Sequence, residues 1–578
     1  MALATFMIPT VWGTPWSVNV FYMRALLQTV WQEPQLCSSL HLLDVRGGEL
    51  DDLSVAQRER GNALIAHTRA TLHRYDRASM TPADQDSYDV MDFYLSQHLD
   101  IDSGKPGVIA FSPYAIEPMS GVHTSFPSFL TTDHDVRSKR DVEHYIARLE
   151  KAGQQFDEVI ATSNADAAHG VIPPRSALLS VARDARAFVA IPTAKNPLVT
   201  TFKAKLADVA GLDEAQRTAL LERATRAVDD VVKPAYGRYI DATVALTKRA
   251  TDELGLWHTV GGDARYARFL RLATASDLSP GEIHAESVAR AERVADELRS
   301  TFAKLGMPAE GALAALLEKA TGDPRFAVAA TPEGRAQTLA SFQKILDENV
   351  AGLDHVSHLP LSSTLVVEPE PKFLEGTGPA THYEPPPTDD SKPGVFKVDL
   401  SKWWNRCDLR ELAAHEGVPG HHFQQTVARH QTDLPMFRQL IPFTAYIEGW
   451  AMWAEVLMQD SSMDACERIG FLTSRLVTAT GCAVDTGIHA KKWTRADADE
   501  YATKYGQPFD LERLLVWPGQ ACAYFVGELT IERLADKARA ALGPKFDIQG
   551  FDDAILTAGA VPMPLLEKLV DRWIAGRK

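Results

Sequence analysis

His415, Glu416, His421 and His422 stand together in the string His415-Glu416-Gly417-Val418-Pro419-Gly420-His421-His422. Imidazoles beside a carboxylate suit a zinc hydrolase: neutral ring nitrogens and an acid hold the metal, and a second acid moves protons. The common zincin signature, His-Glu-x-x-His on a helix, sets both imidazoles on one face with the Glu next to the metal's water. Here Pro419 occupies the position of the second His. On an unbroken helix His421 would sit about 240° round from His415 and about 9 Å along the axis, and His422 about 10 Å along it. Neither could reach a metal whose bonds to nitrogen are about 2.0 to 2.1 Å long. The helix must therefore break between the ligands. Pro419 supplies the break, since it has no N–H for the His415 carbonyl and its ring clashes with it. Gly417 and Gly420 add backbone freedom on either side. By spacing alone His421 and His422 are both candidates for the second ligand.

The longer string Ala414-His415-Glu416-Gly417-Val418-Pro419-Gly420-His421-His422-Phe423-Gln424 resembles the signature of the bacterial family called domain of unknown function 885. That family is placed with the gluzincins, whose third zinc ligand is a Glu on a later helix. Angiotensin-converting enzyme and thimet oligopeptidase, distant relations, carry His-Glu-x-Gly-His, and aligning their Gly-His with Gly420-His421 favours His421 as second ligand. Tyr446-Ile447-Glu448-Gly449-Trp450-Ala451 is similar to the family's Glu-Gly-Trp-Ala segment, which implies Glu448 as third ligand. Arg475, Asp485-Thr486-Gly487-Ile488-His489 and Trp493 resemble the next block, and Trp517-Pro518-Gly519-Gln520-Ala521-Cys522-Ala523-Tyr524 the one after it. In related peptidases a Tyr and a His of this region bind the tetrahedral intermediate. Phe551-Asp552-Asp553 stands where the family would have Phe-His-Asp, which weakens any role for the middle position without touching the zinc site. Upstream, Tyr145-Ile146-Ala147-Arg148-Leu149 and Gly170-Val171-Ile172-Pro173-Pro174-Arg175 look like the family's N-terminal region.

The resemblance thus implies a zinc peptidase in which His415, His421 and Glu448 hold Zn²⁺ and Glu416 serves as general base and then acid. Tyr524 and His489 are the candidate donors to the oxyanion. Glu455, seven residues after Glu448 and on nearly the same helical face, could orient a histidine through its free ring nitrogen. Asp485 could do the same for His489, four residues on, and Arg475 is either a substrate anchor or a structural ion pair. A zinc amidase of small metabolites would use the same groups. A helical binding protein with a relict site is the non-enzymatic alternative.

These residues need elements to carry them, and the chain reads as mainly α. Val142, Tyr145, Ile146, Leu149, Phe156, Val159 and Ile160 recur at helical spacing, as do apolar positions from Leu220 to Leu246. Loops are punctuated at Pro192-Thr193, Gly306-Met307-Pro308 and Thr331-Pro332. Ser363–Val367 and Gly394–Leu400 read as strands around an irregular segment containing Pro369, Pro371, Pro379 and Pro385-Pro386-Pro387. The second strand runs into the zinc-motif helix, as either a substrate-pairing edge strand or an ordinary core strand. The expected architecture is a large multi-helix zincin-like metallopeptidase fold with a small β-sheet beside the active-site helix. Residues 1–355 would form a helical N-terminal region and one wall of the cleft, and 356–578 the zinc-binding catalytic region.

With 578 residues, 45% hydrophobic and 24% charged, the chain can bury a large core. A formal charge of −16 argues against a nucleic-acid partner. The expected partner is a peptide or small amide substrate. No run of about 18 uncharged apolar residues indicates a membrane span. Met1 to Met23 is apolar but broken by Pro9 and Pro15, with its first basic residue at Arg24, unlike a secretory signal, so the expected compartment is the cytoplasm. Cys37, Cys407, Cys466, Cys482 and Cys522 are few, odd in number and without C-x-x-C spacing. They imply no disulfide framework, and Cys522 reads as an inert buried thiol.

Overall fold

A computed structural model describes residues 10, 13–39, 46–100, 112–328, 331–370, 375, 381–386, 392–401, 404–459, 463–507 and 509–578. Pro9, Pro371, Pro379 and Pro387, named above, lie outside the described residues. The protein is mainly helical with small sheets. It divides into two compact units: Met1–Asp76, Leu95–Arg265 and Asp510–Pro518 form the first, and Arg77–Tyr94, Tyr266–Phe509 and Gly519–Lys578 the second. Apart from 510–518, the expected catalytic region 356–578 falls in the second unit, which also takes in 77–94 and 266–355.

The first unit is a helical assembly. The stripe that begins at Val142 lies on the helix Lys139–Ala168, started by a capping box between Ser138 and Asp141. It buries Tyr145, Ile146, Leu149, Phe156 and Val159 in one cluster with Phe202, Tyr236 and Tyr239. The expected helical run from Leu220 to Leu246 is a helix to Ala227, one π-helical turn from Val228 to Val232 and a second helix from Lys233.

The second unit carries the motif. Its helices include α1 (Pro280–Lys304), α2 (Leu409–Glu416), α3 (His421–Arg429), α4 (Thr444–Leu457), α5 (Ala465–Ala490), α6 (Gln520–Leu542) and α7 (Ile548–Thr557). Its strands are β1 (Ala327–Val328), β2 (Leu365–Pro369), β3 (His382–Glu384), β4 (Gly394–Val398) and β5 (Trp404–Asn405). The strands form an antiparallel β1–β5 pair and a three-stranded sheet in the order β2-β4-β3, with β4 parallel to β2 and antiparallel to β3. Of the two readings held for the strand before the motif, the substrate-pairing edge is thereby corrected. β4 is the central strand, flanked on both sides, and its alternate residues Gly394, Phe396 and Val398 are buried. Phe396 and Val398 pack with Phe342, Leu346, Trp404, Leu409 and Ala413, so one small core joins the sheet to the start of the motif helix.

The reading of the cysteines is also corrected. Cys407 is bonded to Cys466 and Cys482 to Cys522, leaving Cys37 as the free, buried thiol. Partners 59 and 40 residues apart carry no local spacing signature, and helix packing alone brings their Cα atoms to 4.8 and 4.4 Å. The first bond ties the residues before α2 to α5; the second ties α5 to α6. Cys522 is therefore a structural cross-link.

Candidate metal centre

The helix break predicted between the histidines is present. α2 ends at Glu416 and α3 begins at His421, with Gly417 to Gly420 looping between them through a cis Val418–Pro419 bond. The loop is held from outside: Trp450 Nε1 donates to the Pro419 carbonyl at 2.8 Å, and Asn349 Nδ2 to the Val418 carbonyl at 2.8 Å. Gly420 is required by space, since a Cβ there would lie 2.0 Å from the His415 carbonyl oxygen and 2.2 Å from that of Ala414. The fold has thus traded a continuous helix for a tight reversal that returns His421 to His415.

Their rings meet nearly at right angles, 4.9 Å between centroids. The third group comes from α4, where Glu448 Oε2 lies 3.6 Å from His415 Nε2 and 3.3 Å from His421 Nε2. Burial opposes the charge on Glu448, but the His421 and His415 imidazoles hold its carboxyl well below the usual range. For His415, burial opposes protonation and is outweighed by Glu448 and Glu455, so its pKa stands well above that of an ordinary histidine. The carboxylates around His415 thus favour positive charge at that ring, as they would favour a bound cation.

Behind these atoms is a supporting layer. Glu455 Oε1, fully buried two turns along α4, lies 2.9 Å from His415 Nδ1 and accepts from the Ser474 hydroxyl at 3.1 Å. A carboxylate on Nδ1 fixes the tautomer that presents Nε2 forward. α4 is positioned by its crossing with α6, where Gly449 and Gly527 touch so closely that a Cβ on Gly449 would lie 2.5 Å from the Gly527 backbone. The small residue next to Glu448 is thus what lets the two helices approach.

The histidine ambiguity is resolved by hydrogen bonding. His422 is fully buried with both ring nitrogens engaged, Nδ1 with the Tyr383 hydroxyl at 3.1 Å and Nε2 with the Ser363 carbonyl at 3.0 Å. His421 is the ring that faces Glu448. Two imidazoles and one carboxylate, with donor atoms within 4.8 Å of one another, form the described group of three or more His, Cys, Asp or Glu residues able to share a metal ion. The separations of Glu448 Oε2 from the two imidazole nitrogens, 3.6 and 3.3 Å, are close to the about 3.3 Å expected between neighbouring ligand atoms of a tetrahedral zinc site.

Glu416 Oε2 accepts from the Tyr383 backbone N–H at 3.0 Å, which brings β3 to the motif's carboxylate. Tyr524 is on α6 one turn before Gly527, on the helix packed directly against that of Glu448. His489 is not brought to the cluster. It sits fifteen residues beyond Ser474 on α5, about 22 Å along the axis. There its buried ring stacks on Tyr266 at 4.9 Å. Asp485 accepts from the Tyr266 hydroxyl at 2.7 Å and from the Gly519 N–H at 2.9 Å, and burial pushes it up to about 7. Arg475 is a structural ion pair, its guanidinium bridging Glu528 and Glu532, which Arg290 of α1 also holds. Asp552, the departure from Phe-His-Asp, is buried on α7 and accepts from Trp453 Nε1 at 2.8 Å; burial raises its pKa well above the carboxylate range. Sequence reasoning missed Tyr383, whose N–H and hydroxyl both enter this region. Its only signal was its place in the Pro-rich segment before β4.

Comparison with known proteins gives the family first. The one described as "Bacterial protein of unknown function (DUF885)" matches residues 38–570, and the chain belongs to it. Among solved structures, the chain is similar to "the putative lipoprotein from Colwellia psychrerythraea", with 25% identity, a TM-score of 0.91 and coverage of 97% of this chain and 99% of that one. It also shares its fold with "a putative lipoprotein of unknown function from Shewanella oneidensis", at 16% identity and TM-score 0.73 over 96% and 99% of the two chains. No curated protein matches it.

Proposed function

We propose that the protein is a zinc-dependent hydrolase of peptide or related amide bonds, with a zincin-like fold of the gluzincin kind. The observation that carries this reading is the convergence of His415 Nε2, His421 Nε2 and Glu448 Oε2, with Glu455 bonded behind His415 and Glu416 adjacent. Three protein ligands leave a position open, as catalytic rather than structural zinc sites do. Zinc bound there supplies Lewis acidity, lowering the pKa of a water to about 7 and polarising the scissile carbonyl. Glu416 takes the proton of the attacking water and passes it to the leaving amine, a transfer worth typically about 10² to 10⁴ in rate. The Tyr524 phenol, on the helix against that of Glu448, is the side chain proposed to donate to the oxyanion.

The two disulfides support an oxidising compartment in place of the anticipated cytoplasm, where thiols are kept reduced. Among the described residues no helix is long and apolar enough to cross a membrane.

The test is elemental analysis of protein purified without added metal, beside turnover of peptides of graded length, N-blocked or C-amidated. About one zinc per chain is expected, with Glu416→Gln keeping the metal and losing about 10² to 10⁴ in turnover. A metal-free protein after incubation with zinc, or full activity in Glu416→Gln, refutes the reading.

A further inference from the structure

Once His421 is a ligand, His422 is left over from the motif, yet it is as buried as any core residue. A carbonyl can only accept, so its Nε2 carries the proton for Ser363 and its Nδ1 accepts from the Tyr383 hydroxyl. The ring therefore joins three places: the first turn of α3, the residue two before β2, and the middle of β3. It also packs edge-on against the Tyr383 ring, 5.4 Å between centroids. Gly394, the first residue of β4, lies against the pair, and a Cβ there would stand 2.9 Å from His422 Nδ1 and 3.0 Å from the tyrosine ring. The central strand is thus bare of side chain where the clamp closes.

The backbone of Tyr383 leads onward from this clamp. Tyr383 pairs with Phe396 in the antiparallel β3–β4 ladder, but its N–H donates to Glu416 Oε2. In such a ladder a residue whose N–H points away from its partner strand sends its carbonyl the same way. The edge of β3 that points away from β4 at Tyr383 therefore faces the motif's carboxylate and holds one of its oxygens.

We propose that His422 is a positioning residue for Glu416, acting through Tyr383: the imidazole anchors β3, and the β3 amide orients the carboxylate. The proposal rests on the hydrolase reading above and adds a division of labour between adjacent histidines, one for the metal and one for the base. Misplacing a catalytic group by about 1 Å can cost about 10²-fold in rate, so a clamp two bonds removed from the chemistry has a measurable effect.

Tyr383→Phe removes the hydroxyl and leaves the ring and the amide. Its kcat should fall about 10- to 100-fold, with KM and zinc content close to the parent's. In the metal-free protein, amide hydrogen exchange over residues 381–386, read by mass spectrometry, should quicken by about tenfold or more. His422→Gln, which can still donate and accept, should retain more kcat than His422→Leu. The proposal is overturned if exchange and kcat are both unchanged, if exchange quickens while kcat holds, or if kcat falls only together with zinc. Should the parent bind no zinc, or should Glu416→Gln hydrolyse as the parent does, the hydrolase reading fails and takes the proposal with it. That case is recognised before any clamp variant is made.

Discussion

Two buried polar clusters lie along α5, about 22 Å apart, and they are built on opposite plans. Near Ser474 the His415 and His421 Nε2 atoms lie 3.6 and 3.3 Å from Glu448 Oε2, the three within 4.8 Å of one another, while Glu455 holds His415 from behind. Near His489 the groups complete one another: Asp485 takes the Tyr266 hydroxyl and the Gly519 N–H, and the His284 ring lies 2.8 Å from the Thr486 hydroxyl. Residue types are much the same in both, histidines with buried acids. The difference is direction. Donors aimed at a shared point and braced behind are available to a ligand, whereas donors aimed at each other satisfy buried polar groups and hold helices together. The Gly519 N–H that Asp485 accepts from stands at the start of α6, where the positive end of the helix dipole offsets part of the burial that raises this carboxyl's pKa.

The sharpest way to break this contrast is to remove one convergent atom. His421→Ala should purify without zinc and without hydrolytic activity, while His422→Gln keeps about one zinc per chain; elemental analysis of both variants decides between the adjacent rings. A smaller loss follows from the brace. Glu455→Gln leaves all three ligands but weakens the bond that fixes His415, and metal affinity measured by competition with a chelator should fall about 10- to 100-fold.

The smallest effect on chemistry belongs to the second cluster, and it is one of stability. Asp485 is raised to about 7 in the folded chain, above its value of 3.8 when unfolded. The folded state therefore binds the proton more tightly, and this stabilisation is complete below about pH 4 and lost as pH rises to about 7, at about 1.4 kcal/mol per unit. Asp485→Asn should flatten that slope in denaturant titrations between these limits, with zinc content and hydrolysis as in the parent. A variant that lost zinc would show that the two clusters are not separate devices.

Much of the candidate site was legible because its signals are local. A proline in place of the second His forces a break, and Glu448 with Glu455 seven residues on repeats a helical face. Both were read correctly. His489 was misjudged because Asp485-Thr486-Gly487-Ile488-His489 gives types and spacing but no direction, and its ring faces Tyr266 from far back in sequence. The small sheet was anticipated, but not that β3, three residues in a Pro-rich stretch, would become the edge beside Glu416.

What the sequence by itself determined is the donor set and the helical scaffold, since helix breaks, caps and apolar periodicity depend on neighbours a few residues apart. Tertiary structure turned the preference for His421 over His422 into a contact with Glu448, and it alone decided that Tyr383 touches both His422 and Glu416, and that Cys407 meets Cys466 while Cys482 meets Cys522. Each of those outcomes joins residues about 30 to 60 positions apart or turns on such a contact. Pairings of that kind are selected by packing of whole elements, which leaves no periodic trace in the chain.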